Sequence, residues 1–206
     1  MGAGRSLLSV VAITAALAAA PVGSALAVST GPQPGSSGIP AGAGVEAEPT
    51  CISCHTSSAL NPDDKGTITI EGVPAAYQPG KTYALTFRIA HPDPEVARWG
   101  FQVTAVSLPS LQGAGELVVT DSATTQLITG MVAGRTYLGH SYGGTAIGQS
   151  GGASWSFAWI APAADAGKVA FFAVANAANA DGSNQGDRIY SKSPEPIAVT
   201  EPAPPD

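Results

Sequence analysis

Hydrophobic and polar residues alternate with a period of two along several short parts of the chain. In residues 82–89 the large apolar side chains take every second position: Tyr83, Leu85, Phe87 and Ile89. Such alternation is typical of a β-strand that buries one face and exposes the other. We therefore expect these residues to form a strand that packs one face against a core.

Segments of this kind recur, each rich in β-branched and aromatic residues and bounded by turn-forming residues: 66–72, 81–90, 99–108, 115–121, 126–131, 135–142, 154–162, 168–177 and 188–200. No long stretch places apolar residues at helical spacing. The pattern predicts about eight or nine strands and an all-β fold, an antiparallel immunoglobulin-like β-sandwich. We expect its core to take the large aromatic residues: Trp99, Phe101, Trp155, Phe157 and Trp159.

The first residues of the chain differ from this strand-rich region. Residues 1–27 carry one cation, Arg5, and then an apolar run that ends in Ala25-Leu26-Ala27. This pattern predicts a cleaved signal peptide and a mature chain that begins near Val28. We therefore expect an extracytoplasmic protein, in the periplasm, secreted or at the cell surface, with no membrane span after signal cleavage.

Composition divides the remainder into three parts. Residues 28–48 are mostly Gly, Pro, Ser and Ala, which predicts a flexible leader or an extended wrap over the domain surface. Residues 49–200 form the β-sandwich, and the proline-rich residues 201–206 form a disordered tail. Because 15 Asp and Glu oppose 9 Lys and Arg, we do not expect nucleic acid as a partner.

The only two cysteines lie in the string Thr50-Cys51-Ile52-Ser53-Cys54-His55, a C-x-x-C-H motif. This spacing lets both thiols reach the vinyl groups of a haem, and the adjoining imidazole then lies under the iron. We predict one covalent haem c held by Cys51, Cys54 and His55, in an irregular segment at the N-terminal edge of the sandwich. Two other interpretations stay open: a surface disulfide followed by an incidental histidine, and a thioredoxin-like motif, which would require a βαβ context.

Few residues can supply a second axial ligand to the iron. His91 is framed by prolines in what reads as an exposed loop, whereas His140 lies at a strand end beside two glycines that leave room for a bulky group. We therefore predict that the metal ligands are His55 and His140, with Met131 as the thioether alternative.

A late segment is rich in oxygen-bearing side chains: Asn176, Asn179, Asp181, Asn184 and Asp187. Such oxygens can gather around Ca²⁺, but the spacing matches no EF-hand. A hairpin rich in turn residues explains the same composition. Both interpretations stay open.

The order of these motifs resembles the bacterial choice-of-anchor V proteins, a group similar to the Reeler domain. The resemblance covers residues 50–190 and depends on the C-x-x-C-H string, the Y-x-P-G-x-x-Y turn at 77–83, the aromatic strand at 99–106 and the segment at 176–190. It implies an extracytoplasmic Reeler-like β-sandwich with a haem motif at its N-terminal edge. It implies no reaction or substrate.

The function predicted is that of an exported mono-haem c-type cytochrome that carries one electron, rather than an enzyme. Its partners would be redox proteins or an extracellular electron acceptor. One alternative is a haem enzyme or gas sensor with an open iron position, in which His140 acts as a distal base. Another is a non-haem extracellular binding or adhesion module with a disulfide between Cys51 and Cys54.

Overall fold

The computed structural model describes residues 29–192 and 194–200, apart from the side chains of Thr129 and Met131. The predicted signal peptide (residues 1–27) and the predicted tail (residues 201–206) lie outside the described residues.

The described residues form eleven strands: β1 (Thr67–Glu71), β2 (Ala76–Tyr77), β3 (Thr82–His91), β4 (Arg98–Ser107), β5 (Glu116–Val119), β6 (Thr125–Val132), β7 (Arg135–His140), β8 (Gly151–Ile160), β9 (Val169–Ala178), β10 (Arg188–Ser191) and β11 (Ala198–Val199). Two short 3₁₀ turns, Cys51–Ser53 and Gly143–Thr145, complete the regular structure of the described residues. The predicted segments correspond closely to these strands.

The strands form two main sheets and one small one. A four-stranded sheet has the order β1-β3-β8-β5, and a five-stranded sheet has the order β10-β9-β4-β7-β6. All pairings within these two sheets are antiparallel, whereas the short β2 and β11 pair in parallel. The predicted all-β antiparallel sandwich is therefore confirmed.

Aromatic residues from both sheets fill the space between them. Phe101 of β4 stacks on Phe87 of β3, with ring centroids 4.8 Å apart, and on Trp155 of β8, with centroids 4.5 Å apart. Further along β8, Trp159 meets the edge of Phe171 from β9. The predicted aromatic core is thus present, and it holds β4 and β9 rigidly against the other sheet.

The central strands β4 and β9 are buried on both faces, since their outer face carries a second layer. This layer is the N-terminal strap, which we define as residues 29–50. Ile39 of the strap is fully buried in a cluster that includes Val106 of β4 and Phe172 of β9. The Gln102 side chain accepts a hydrogen bond from the Ser36 N–H at 2.8 Å and donates one to the Gln33 carbonyl at 2.6 Å.

A buried acidic residue near the end of the strap anchors it to the sheet. Glu48 accepts hydrogen bonds from Arg135 at 2.5 Å and from the Tyr137 hydroxyl, and the side chains of Glu48 and Arg135 are at most 2% exposed. Composition leaves open a flexible leader or an extended wrap at residues 28–48, and the described part lies over the sheet as a wrap would. Backbone hydrogen bonds and one buried ion pair hold a segment that has few apolar residues of its own.

Candidate functional site

The strap and the outer face of the five-stranded sheet enclose a cleft of about 260 Å³. Cys51, Cys54 and His55 line it, and so does His140, which lies 85 positions further along the chain than His55. The structure therefore brings all four predicted site residues to one cleft. Their chemical roles remain predictions.

The C-x-x-C-H motif begins with a tight turn. The Cys51 carbonyl accepts the N–H groups of Cys54 at 3.2 Å and of His55 at 2.9 Å, which closes the 3₁₀ turn Cys51–Ser53. Both thiols are unbonded. Burial raises the pKa of the Cys51 thiol to about 12, so this sulfur is a neutral thiol at pH 7.

The imidazole of His55 is held by a buried carboxylate. Its Nδ1 lies 2.6 Å from Oδ2 of Asp187, whose side chain is 2% exposed, while that of His55 is 17% exposed. The other carboxylate oxygen of Asp187 accepts the Asn179 N–H at 3.3 Å. A histidine that gives Nδ1–H to a carboxylate keeps Nε2 free for a metal, and the carboxylate sets the ring orientation.

The β9–β10 loop, residues 179–187, grips the segment that follows the cysteines. The Asn184 side-chain amide donates to the Cys54 carbonyl at 2.6 Å, and the Gly186 N–H donates to the Ser57 hydroxyl at 2.8 Å. The Ser58 hydroxyl in turn donates to the Asp187 carbonyl at 2.6 Å. Sequence reasoning missed this role, because its partners lie about 130 positions away in the chain.

The same loop was the candidate for Ca²⁺ binding. Asp181 accepts the Ser183 N–H at 2.7 Å, and this hydrogen bond lowers the pKa of the Asp181 carboxyl. Asn179 donates to the Asp181 carboxylate at 3.2 Å. No group of three or more His, Cys, Asp and Glu among the described residues could hold a metal ion. The side-chain oxygens of Asn179 and Asp181 already accept hydrogen bonds within the loop, and calcium binding stays a prediction.

The His140 ring packs against Gly100, which has no side chain. His140 ends β7, is 8% exposed, and places its ring where a Cβ on Gly100 would come within 2.7 Å of Cε1. Its Nδ1 accepts the Phe101 N–H at 3.1 Å in the tautomer that carries its hydrogen on Nε2. The same Nδ1 lies 3.3 Å from the Phe101 carbonyl oxygen, to which it donates in the other tautomer. In the tautomer that donates to this carbonyl, the Nε2 lone pair is available to a metal.

The surroundings of His140 keep its imidazole neutral. Burial is the main cause that lowers the pKa of His140 to about 4, and the charges of Arg98 and His55 lower it further. A neutral imidazole at pH 7 is the form that binds a metal or accepts a proton.

His91 requires a correction. The framing prolines predict an exposed loop residue, yet His91 is 1% exposed and lies away from the cleft. Strand β3 continues through His91, which pairs with Gly151 of β8, so the turn begins only after it. Its Nδ1 accepts the Asp93 N–H at 3.1 Å, and its Nε2 lies 3.7 Å from Asp63. The side chain of Met131, the other alternative ligand, lies outside the described residues.

Comparison with known proteins gives similarity at the level of fold. No protein-family model matches the chain, and no curated protein matches it. Two similar solved structures contain the Reeler domain of F-spondin. The human domain is 20% identical, with a TM-score of 0.47 over 70% of this chain and 96% of that one. The Reelin-N domain is also 20% identical, with a TM-score of 0.48 over 71% and 95%.

A cohesin module from a Clostridium perfringens family 33 glycoside hydrolase is 13% identical, with a TM-score of 0.46 over 66% of this chain and 98% of that one. At these identities the likeness concerns the fold alone. The more specific resemblance to choice-of-anchor V proteins therefore stays a prediction. In the described residues, no helix is long and apolar enough to cross a membrane.

The cleft has unused polar groups that fit a large ligand with polar substituents. Among the described residues, five buried side-chain atoms lack a hydrogen-bond partner, and three of them belong to residues of the cleft lining: Thr50 Oγ1, Arg98 Nε and Asn176 Oδ1. Buried polar atoms normally find partners. Two thiols, two imidazoles and these unpartnered atoms are a donor set that fits haem c, since a porphyrin supplies the remaining iron ligands itself.

Proposed function

We propose that the chain is an exported c-type cytochrome that binds one haem covalently and carries one electron. One observation carries the proposal: the C-x-x-C-H turn and the distant His140 line the same cleft, and a buried carboxylate backs the Nδ1 of His55. Haem supplies, when bound, an iron that changes reversibly between the ferric and ferrous states.

Each residue of the cleft has a defined task in this proposal. Cys51 and Cys54 would hold the haem through two thioether bonds, each thiol adding across one vinyl group so that its hydrogen passes to a vinyl carbon. His55 would offer Nε2 to the iron, and Asp187 fixes the orientation of its ring by a 2.6 Å hydrogen bond. His140 would offer its Nε2 in the tautomer whose Nδ1–H donates to the Phe101 carbonyl. Two fixed ligands suit electron transfer, since little rearranges between oxidation states.

The Cys51 environment argues against thiol–disulfide exchange as the function. Redox-active C-x-x-C motifs depend on a thiolate, and therefore on a lowered thiol pKa. Burial instead raises the pKa of Cys51 to about 12. A neutral Cys51 thiol is poorly suited to the attack on a disulfide that such exchange requires at neutral pH.

A haem enzyme or gas sensor is the second candidate, because His140 lines the cleft and need not bind the iron itself. Its neutral imidazole could then form a hydrogen bond with a molecule bound at the open iron position. A ligand-binding test separates the two candidates. Carbon monoxide added to the reduced protein should leave the spectrum of a carrier with two axial ligands unchanged, whereas rapid binding would favour the enzyme or sensor.

Intact mass and an absorption spectrum test the proposal itself. The full-length chain is produced in cells that have export and haem-attachment machinery and is then denatured. We expect the mass of a chain beginning near Val28 plus one haem, and no haem on a Cys51→Ala, Cys54→Ala control. A mass without haem but two hydrogens lighter than the reduced chain would instead support the extracellular binding module with a disulfide.

Partners and location follow from the same proposal. An exported electron carrier would exchange electrons with redox proteins or with an extracellular acceptor. The expected location is the periplasm, the cell surface or the medium, and a signal peptide cleaved near Val28 would support it. Recovery of full-length unprocessed protein from the cytoplasm would contradict this part of the proposal.

A further inference from the structure

Arg98 differs from the other described arginines in its partners. Three of the four arginines that the structure describes form an ion pair with a carboxylate: Arg88 with Glu71, Arg135 with Glu48, and Arg188 with Asp93. Among the described residues, Arg98 forms no ion pair, and its Nε is buried without a hydrogen-bond partner. A buried charged donor is costly unless some group satisfies it. The Arg98 guanidinium can therefore still donate a hydrogen bond to an anion.

Arg98 begins β4 and is one of the residues that line the cleft. Thr50 lines the same cleft, and its hydroxyl is also buried and without a partner. The face of Tyr142 lies 5.9 Å from the guanidinium carbon, which limits the directions that the side chain can take.

Charge in the cleft points to a negatively charged ligand group. Arg98 is the one Lys or Arg side chain of the cleft lining, and its guanidinium is charged at every physiological pH. Asp187 is the one acidic side chain of that lining, and His55 already engages it at 2.6 Å. The positive charge of Arg98 is thus left for whatever enters the cleft.

We propose that Arg98 binds a carboxylate of the ligand in the cleft, and that in the loaded protein this carboxylate is a propionate of the covalent haem. The planar guanidinium matches a carboxylate with two parallel hydrogen bonds. The Thr50 hydroxyl is a further donor for the same group. The inference rests on the proposed function, because the propionate arrives with the haem.

Resonance Raman spectroscopy and redox titration of the matured full-length protein test this assignment. Arg98→Met removes the charge, and Arg98→Lys keeps the charge but loses the planar fork. We expect both variants to shift the propionate bending band. Arg98→Met should also lower the midpoint potential by about 59 mV, which is a tenfold change in the one-electron equilibrium, because a positive charge that favours ferrous iron is lost. Arg98→Lys should lower it less.

The control is Arg88→Met, which removes a half-exposed arginine from the other sheet and should change neither readout. Intact mass distinguishes a failure of the proposed function from a failure of this inference alone. Wild-type protein without haem overturns the proposed function and this inference together. Haem-loaded Arg98→Met with the wild-type bending band overturns this inference alone. If Arg98→Met does not mature, Arg98→Lys decides, and a band at the wild-type position overturns the assignment.

Discussion

Removal of the Asp187 carboxylate should loosen the C-x-x-C-H turn and destabilise the whole domain. In Asp187→Ala, the Nδ1 of His55 and the N–H of Asn179 lose their acceptor, and the Asn176 amide loses a weaker contact at 3.3 Å. A buried donor left unsatisfied costs about 1–3 kcal/mol. Because these groups are only partly buried, we take about 1.5 kcal/mol for each of the two main donors, His55 and Asn179, which gives about 3 kcal/mol in total.

Thermal unfolding followed by circular dichroism measures this loss. For a domain of this size, 1 kcal/mol corresponds to roughly 2–4 °C, so the midpoint should fall by roughly 6–12 °C. Asp187→Asn keeps one acceptor oxygen and should lose about half as much. Asp64→Ala removes an exposed carboxylate and should change stability by less than about 0.5 kcal/mol.

An unchanged unfolding temperature would refute this reasoning. If Asp187→Ala unfolds at the wild-type temperature at equal haem content, the β9–β10 loop does not stabilise the C-x-x-C-H turn. Proteolysis gives a second readout, since a loosened turn at residues 51–58 should be cut faster under native conditions.

Three further predictions follow from the strap and from His140. His140→Ala should keep the covalent haem but convert low-spin iron to a high-spin or water-ligated state, and an unchanged low-spin spectrum would assign the sixth position to another residue. Glu48→Ala leaves Arg135 buried and uncompensated, so it should cost about 3–5 kcal/mol and speed protease cleavage of the strap, whereas Glu46→Ala, at an exposed site, should do neither. In haem-free folded protein the pKa of His140 is about 4, below its ordinary value of 6.5. Between pH 4 and 6.5 the unfolded chain therefore binds more protons than the folded chain. Stability should be complete above pH 6.5 and fall by about 3 kcal/mol as the pH drops to 4; a His140→Gln variant with the same pH slope would refute this origin.

Local patterns made the fold predictable. The alternation in residues 82–89 depends only on near neighbours, and it correctly gave the strand β3 and its buried face. The C-x-x-C-H motif is equally local. His91 shows the limit of such reasoning, because the prolines after it predicted a loop, whereas pairing with Gly151 extends the strand through it.

Long-range contacts made the rest of the site unpredictable. Glu48 and Arg135 are 87 positions apart, so no window of sequence shows that a Gly- and Pro-rich segment is anchored by a buried ion pair. The hydrogen bond from Asn184 to the Cys54 carbonyl spans 130 positions. The sequence places oxygen-rich residues in that loop, but only the tertiary structure shows that they hold the turn.

The close approach of His140 to Gly100 has a consequence for the divergence of related sequences. Any side chain at position 100 would need to share space with the imidazole ring, so the glycine is required only while the histidine is kept. A lineage that replaces the histidine by a small residue is released from that requirement, and position 100 can then drift. Substitution first at position 100 would displace the ring, so the order of the two changes is constrained. Descendants that retain the C-x-x-C-H string but have lost both residues would mark a lineage in which the motif outlived the histidine.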